Sequence, residues 1–197
     1  SEALQQSDLE ATTRATYLAT INTAATDLAE LVSNILRLNK LETQISQPEH
    51  QSFDLVEQLT QVIFASDPLL ESYNLELEVD MPERLQIIGD PDLLKVVWNN
   101  LLANAIKFTP DNGSIHLNVS NQHEHVTVSI SDTGIGMNDQ TRAHMFQKFY
   151  QGDRSHAELG NGLGLAMVAQ ILKLVEGQLE VQSELGQGST FTIRLPQ

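Results

Sequence analysis

Apolar residues recur along this chain with two different periods, and the change from one to the other divides it. Over residues 8–43, Leu18, Ile21, Ala25, Leu28, Val32 and Ile35 fall at alternating spacings of three and four, and Leu31, Leu38 and Leu41 widen the stripe. That is the heptad seam of a helix packed along its length against other helices. No Gly or Pro interrupts it, and a helix of this length exceeds the usual globular range. It calls for packing partners that this chain does not supply.

Pro48 and its polar neighbours over residues 47–52 mark a boundary and hinge. Beyond it Leu55, Val56, Leu59, Val62 and Ile63 keep the helical period, with Ser52 or Asp54 as cap and a break expected near Asp67-Pro68. Period two then takes over. Leu75, Leu77, Val79 and Met81 alternate with acids, and Leu85, Ile87 and Ile88 suggest a short second strand. Ile115, Leu117 and Val119 pair as a hairpin with Val126, Val128 and Ile130, turning over residues 121–125, and residues 179–181 and 190–195 supply two last strands. Two more helices interrupt the strands. One carries Leu94, Val97, Trp98, Leu101, Leu102 and Ala105; the other carries Leu163, Leu165, Val168, Ile171, Leu172 and Val175. Residues 138–161 read as polar and irregular around Met145, Phe146, Phe149 and Tyr150. Strands that alternate this cleanly have one wet face, so the helices should all pack on the other. The expected fold is α+β: a two-layer α/β sandwich with a mixed, mostly antiparallel sheet and three helices on one face, preceded by a long helix. The expected domains are 1–47 and 48–197.

Composition narrows the partners. A formal charge of −15 disfavours broad attraction to nucleic acid or anionic lipid, which need basic surface. An anionic ligand must therefore be met locally, by the few cations near the centre of the chain or by a divalent metal. The absence of cysteine excludes disulfides and thiolate metal sites, and no apolar run is long enough to span a bilayer. A cytoplasmic setting is expected. The opening Ser, where a Met would begin a primary product, suggests a piece of something longer.

Three stretches carry candidate chemistry. On the helix through NLLANAIKFTP, Asn100, Asn104 and Lys107 share the edge opposite the apolar face. An amide oxygen is a hard ligand suited to Mg²⁺ and a lysine suits a phosphate, although two solvated asparagines on a surface helix would look the same. Asp132-Thr133-Gly134-Ile135-Gly136 follows a strand. It can be an ordinary turn, or a place where the backbone approaches a flat ligand and Asp132 accepts from an amine. Gly160-Asn161-Gly162-Leu163-Gly164-Leu165 opens a helix, where free backbone N–H groups make an anion site or the glycines make a hinge. It is neither a P-loop nor a dinucleotide fingerprint, because it lacks Gly-Lys-Ser/Thr and has Leu165 at the third glycine position.

In order, Asn100…Asn104, Asp132-x-Gly-x-Gly, Phe146-x-x-Phe149, Gly160-x-Gly-Leu-Gly-Leu and Gly186-x-Gly-Ser-Thr-Phe191 resemble the ATP-binding catalytic domain of sensor histidine kinases, in the superfamily shared with gyrase, a chaperone and the mismatch-repair ATPases. The resemblance covers about residues 53–196, and the helix ending in Asn39-Lys40-Leu41-Glu42 is similar to the second helix of the family's dimerisation and phosphoacceptor hairpin. It implies ATP and Mg²⁺ as cofactors. Asn104 would hold the metal with Asn100 in support, Lys107 would contact phosphate, and Phe108 would border the nucleotide. Asp132 would read the adenine amine, with Gly134 and Gly136 making room. Phe146 and Phe149 would anchor a lid, Gly160, Gly162, Leu163, Gly164 and Leu165 would wrap the phosphates, and Thr190 with Phe191 would close the adenine side. The implied partners are a phosphoacceptor helix, a response-regulator receiver domain and a second copy of the parent protein, whose cytoplasmic setting is compatible with a membrane anchor.

The sequence departs from the family at two points. Gln151 follows Phe149-Tyr150 where the family often has an Arg, leaving Arg154 as the candidate replacement. No His precedes His50, so the phosphoacceptor His expected on the first hairpin helix is not in this chain. The implied activity is transfer of the ATP γ-phosphoryl group to a His outside it. The alternatives are a non-catalytic nucleotide-binding or docking module, or a related ATPase; the latter would carry an acidic residue where Asn100 stands.

Overall fold

A computed structural model describes residues 11–43, 48–122, 125–152 and 161–196. In chain order they form α1 (Ala11–Glu42), β1 (Gln51–Asp54), α2 (Leu55–Ser72), β2 (Glu76–Asp80), β3 (Gln86–Gly89), α3 (Pro91–Phe108), β4 (Ser114–Gln122), β5 (His125–Asp132), α4 (Asp139–His144), α5 (Gly164–Leu174), β6 (Gln178–Glu184) and β7 (Gly188–Pro196). Residues 8–10 of the expected first helix and 123–124 of the expected hairpin turn lie outside the described residues.

The main sheet has the strand order β2-β4-β5-β7-β6. Its β2–β4 pair is parallel and the remaining pairs are antiparallel. Alternate residues of the central strands, Ile115, Leu117, Val126, Val128, Ile130 and Ile193 among them, are buried in one cluster with Leu59, Trp98, Leu101, Leu102 and Ile171 of α2, α3 and α5. The fold is thus the expected one: a mixed, mostly antiparallel sheet with its helices on one face.

The local details differ in four places. Residues 51 and 52, read as the end of the hinge, form β1 together with Phe53 and Asp54, and this strand pairs antiparallel with β3 as a separate two-stranded ribbon. Four residues offer no readable alternation, and the strand exists through its long-range partner. Helix α2 does not break at Pro68. Proline removes a bond to the carbonyl four residues back, which here belongs to Phe64 on the water side of the helix, where the side chain is 69% exposed. The turn of the β4–β5 hairpin is shorter than residues 121–125, since pairing continues to Gln122↔His125. Within the stretch read as irregular, Asn138 caps the short helix α4 by accepting from the Thr141 N–H at 2.7 Å.

Of the two caps considered for α2, Asp54 is the one used. Its Oδ1 accepts from the Val56 and Leu85 N–H groups at 3.1 and 3.2 Å. Burial works against its ionisation, but these bonds, one from Glu57 and the Arg84 side chain outweigh it and hold the carboxyl below the usual range. Helix α1 packs by its C-terminal part alone. Leu38 is buried against Leu163 and Met167 of the α5 region, with Leu31 and Ile35 partly covered, whereas Leu18, Ile21, Leu28 and Val32 of the same seam are exposed.

One polar clip joins α2 to α3 inside the core. The buried Gln58 donates to the Pro91 carbonyl at 2.8 Å and accepts from the Trp98 indole at 2.9 Å. Gln58→Leu would strand both partners in the interior and should lower unfolding stability by about 2 kcal/mol in a denaturant titration. An unchanged midpoint would show that the clip is dispensable.

Candidate functional site

Helix α3 is the wall on which the site is built. Asp90 starts it, accepting from Leu93 N at 3.0 Å through Oδ1 and from Glu49 N at 3.0 Å through Oδ2. Leu94, Val97, Trp98, Leu101, Leu102 and Ala105 are all buried, which leaves Asn100, Asn104, Lys107 and Phe108 half-buried along one edge and Asn99 exposed. Asn100 donates to the Val96 carbonyl at 2.8 Å, and its Oδ1 lies against the first residue of α5, where a Cβ on Gly164 would come within 2.5 Å of it. The Asn104 amide forms no hydrogen bond among the described residues. Lys107 holds its ammonium 4.6 Å over the Phe108 ring, and partial burial depresses its pKa.

The far end of this edge meets the glycine loop. Ile135 N donates to the Phe108 carbonyl at 3.1 Å. A Cβ on Gly134 would collide with that same carbonyl, so only glycine lets the loop dock there. Gly136 sits at φ +63 against the Glu184 carbonyl. The loop is therefore wedged between the end of α3 and the β6–β7 turn, whose Gly186 N donates to the Ile135 carbonyl at 2.7 Å. At its head, Asp132 Oδ1 accepts from Gly134 N at 2.8 Å and Ser189 N at 3.2 Å. Burial raises the Asp132 pKa despite these two bonds, which pull the other way.

From Asn100 to Phe108 the edge runs about 12 Å at the helical rise. It joins two unlike ends: the start of α5, and the half-buried carboxylate of the glycine loop. Helix α5 has no side-chain cap, so its leading N–H groups and dipole are available to an anion. Leu163 is fully buried and its N–H donates to Asn161 Oδ1 at 3.1 Å, while Leu165 packs against the main core. Gly162 accepts from Phe149 N at 2.9 Å. Gly160 and Arg154 lie outside the described residues.

The residues expected at the lid and at the adenine side lie as follows. Phe146 and Phe149 are 36% and 60% exposed, and the residue that buries itself in this segment is Met145. Met145 is the C-cap of α4, and a flexible thioether adapts readily to an irregular gap. Thr190 spends its hydroxyl on Ser131, 2.9 Å away across the strands. The register partner of Asp132 is instead Ser189, which the alternation of β7 puts on the same face as Asp132. Ser189 and Ser183 were given no role from the sequence, and Arg142 stood only among the few cations near the centre of the chain. The three line a cavity of about 450 Å³ together with Asp132, Gly188 and Thr190. Strict period-two counting back from the buried Phe191 was the signal for Ser189. Arg142, which reaches the Ser183 carbonyl at 3.0 Å from α4, could be counted as a nearby cation but not placed.

The family model for histidine kinase-, DNA gyrase B- and HSP90-like ATPases matches residues 89–197. The chain belongs to this family. It is similar to the circadian input-output histidine kinase CikA of Synechococcus elongatus, 34% identical over 92% of this chain and 25% of that protein. It is also similar to the sensor-like histidine kinase SenX3 of Mycobacterium bovis, 28% identical over 100% of this chain and 48% of that one. The chain therefore spans between a quarter and a half of these relatives. A crystal structure of full-length ShkA in complex with AMPPNP superposes with a TM-score of 0.80 at 29% identity, covering 98% of this chain and 40% of that one. Within that family, this chain's domain is of the sensor-histidine-kinase kind, an ATP-binding catalytic domain.

The burial of Asp132 has a consequence for stability. Its folded pKa lies above the unfolded value near 3.8, so the folded state binds this proton more tightly, and stability falls as pH rises from there through the raised pKa. Asp132→Asn keeps an oxygen for the Gly134 and Ser189 N–H groups while removing the charge. Its melting temperature should match or exceed that of the parent at pH 7, and the difference should vanish below the unfolded pKa. A variant less stable at pH 7 than the parent would contradict this balance of burial over hydrogen bonding.

Proposed function

We propose that this chain binds Mg-ATP along the edge of α3 and transfers the γ-phosphoryl group to a histidine held on a helix outside it. The observation that carries the reading is the polarity of that edge: an uncapped helix start beside Asn100 at one end, and a half-buried acceptor, Asp132, at the other. The first suits a triphosphate and the second the amine of adenine. Lys107, desolvated and without an anionic partner among the ion pairs of the described residues, would face the phosphates, with Gly162, Leu163, Gly164 and Leu165 supplying backbone around them. Phe108 would border the nucleotide, Gly134 and Gly136 would admit it, and the segment from 138 to 161, with Phe146, Phe149, Arg154 and Gly160, would close over it.

A magnesium ion fits the residues present. Among the described residues no group of three or more His, Cys, Asp or Glu side chains could cage a metal, and the Asn104 amide oxygen is a hard ligand of the kind Mg²⁺ takes singly when it arrives with phosphates and water. Such an ion would neutralise charge on the transferring phosphoryl group. The chain's own part is positioning: it holds the nucleotide at both ends and directs its terminal phosphate outward.

In this reading residues 1–47 are the second helix of a dimerisation and phosphoacceptor hairpin and residues 48–197 the ATP-binding domain. The exposed seam of α1 would be covered in a homodimer of the parent, a response-regulator receiver domain would take the phosphoryl group, and the site would work in the cytoplasm. Among the described residues no helix is long and apolar enough to cross a membrane.

Titration calorimetry with and without Mg²⁺ tests the site. Asn104→Asp should weaken Mg-ATP binding by about tenfold or more, while Asn99→Asp, exposed beyond the polar edge, should change it little. Equal losses would remove Asn104 from the site. Transfer is tested separately. Helix α1 carries no histidine, so γ-labelled ATP should leave no acid-labile, base-stable label on this chain, and adding a peptide of the His-bearing helix should bring some back. Stoichiometric acid-labile label on the chain alone would show that the acceptor is one of its own six histidines.

A further inference from the structure

Three polar groups converge on the hydroxyl of Ser183 in β6. Met137 N–H donates to its Oγ at 2.8 Å, the Gly188 carbonyl accepts from it at 3.0 Å, and the Ser189 hydroxyl lies 3.0 Å away. A serine hydroxyl has one proton and two lone pairs. With its proton on the Gly188 carbonyl and one lone pair on Met137, Ser183 can meet Ser189 only as an acceptor. Ser189 must therefore turn its own proton toward Ser183, and what it has left for the cavity it lines is its lone pairs. Asp132 lines the same cavity, and an ionised carboxylate is likewise acceptor-only.

We propose that Ser183 is a positioning residue that sets base specificity: by fixing the direction of the Ser189 hydroxyl, it makes this wall of the cavity accept and never donate. Two adjacent acceptors match an exocyclic amine, which offers two protons, as in adenine. They oppose a carbonyl at the same place, as in guanine, where lone pairs would face lone pairs and a desolvated acceptor would go unmatched. Without Ser183 the Ser189 hydroxyl would be free to rotate and donate, and the wall would tolerate either base. This rests on the nucleotide reading above and adds to it the group that sets the discrimination.

The test is calorimetry on the full chain with Mg-ATP, Mg-GTP and magnesium tripolyphosphate, the last lacking a base. The parent should prefer ATP. Ser183→Ala should weaken ATP binding about tenfold and leave GTP and tripolyphosphate within about twofold, so the ATP:GTP preference narrows about tenfold. Ser183→Thr, which keeps the hydroxyl, should restore the preference. Adding Ser183→Ala to Ser189→Ala should narrow it no further than Ser189→Ala alone, because the two act as one unit. If Ser183→Ala does not fold, Ser183→Cys, of similar volume but weak in hydrogen bonding, should give the same narrowing. A uniform loss across the three ligands would mean that Ser183 merely supports the loop, and an unchanged ATP:GTP ratio would mean that it does not orient Ser189; either overturns the proposal. A parent chain that binds tripolyphosphate but no ATP in preference to it would overturn the base-reading site itself, and this proposal with it.

Discussion

The site depends on how completely α3 buries one face. Trp98, Val97 and Leu102 have no exposed surface and Leu101 next to none, which fixes the helix in rotation to within the fit of those side chains. A helix so fixed has its opposite edge fixed too, and Asn100, Asn104, Lys107 and Phe108 are placed by a core they do not join. The buried Gln58 adds direction to this packing. Its amide reaches the first turn of α3 and the Trp98 indole at once, so α3 cannot slide along α2 without breaking a bond in the interior.

Two charges at the site are held under conditions each would avoid. Burial disfavours ionisation of both Asp132 and Lys107, and they stand at the loop and helix end that meet at the Phe108 carbonyl. Neither takes part in an ion pair among the described residues. A protein selected for stability alone would have neutralised or exposed them. Partners that relieve such groups, a proton donor for Asp132 and an anion for Lys107, gain from desolvation already in place before they arrive.

The four longer helices and most strands were legible because their apolar periods are long, and the polar edge of α3 followed from the same count that gave its buried face. Illegible features share a different cause: they are decided by contacts distant in sequence. β1 is a strand because β3 lies beside it. Pro68 is tolerated in α2 where the carbonyl it orphans belongs to the exposed Phe64. Ser189, not Thr190, partners Asp132 because β7 pairs with β5 in one register and not its neighbour, and a shift of one residue exchanges the faces. Motif spelling led to the glycine loop, but it could not say which of two adjacent hydroxyl residues shares a face with Asp132.

The strand order leaves β2 and β6 at the edges of the main sheet, and these are the strands in which acids concentrate. Glu76, Glu78 and Asp80 are exposed along one, Glu180 and Glu184 along the other. An open edge is a template on which a second sheet can grow, and rows of like charge are among the means by which natural sheets refuse it. A copy of this chain that offered its β2 to another β2, or its β6 to another β6, would bring carboxylates against carboxylates. Part of the −15 charge thus guards the two open edges of the sheet against self-templating.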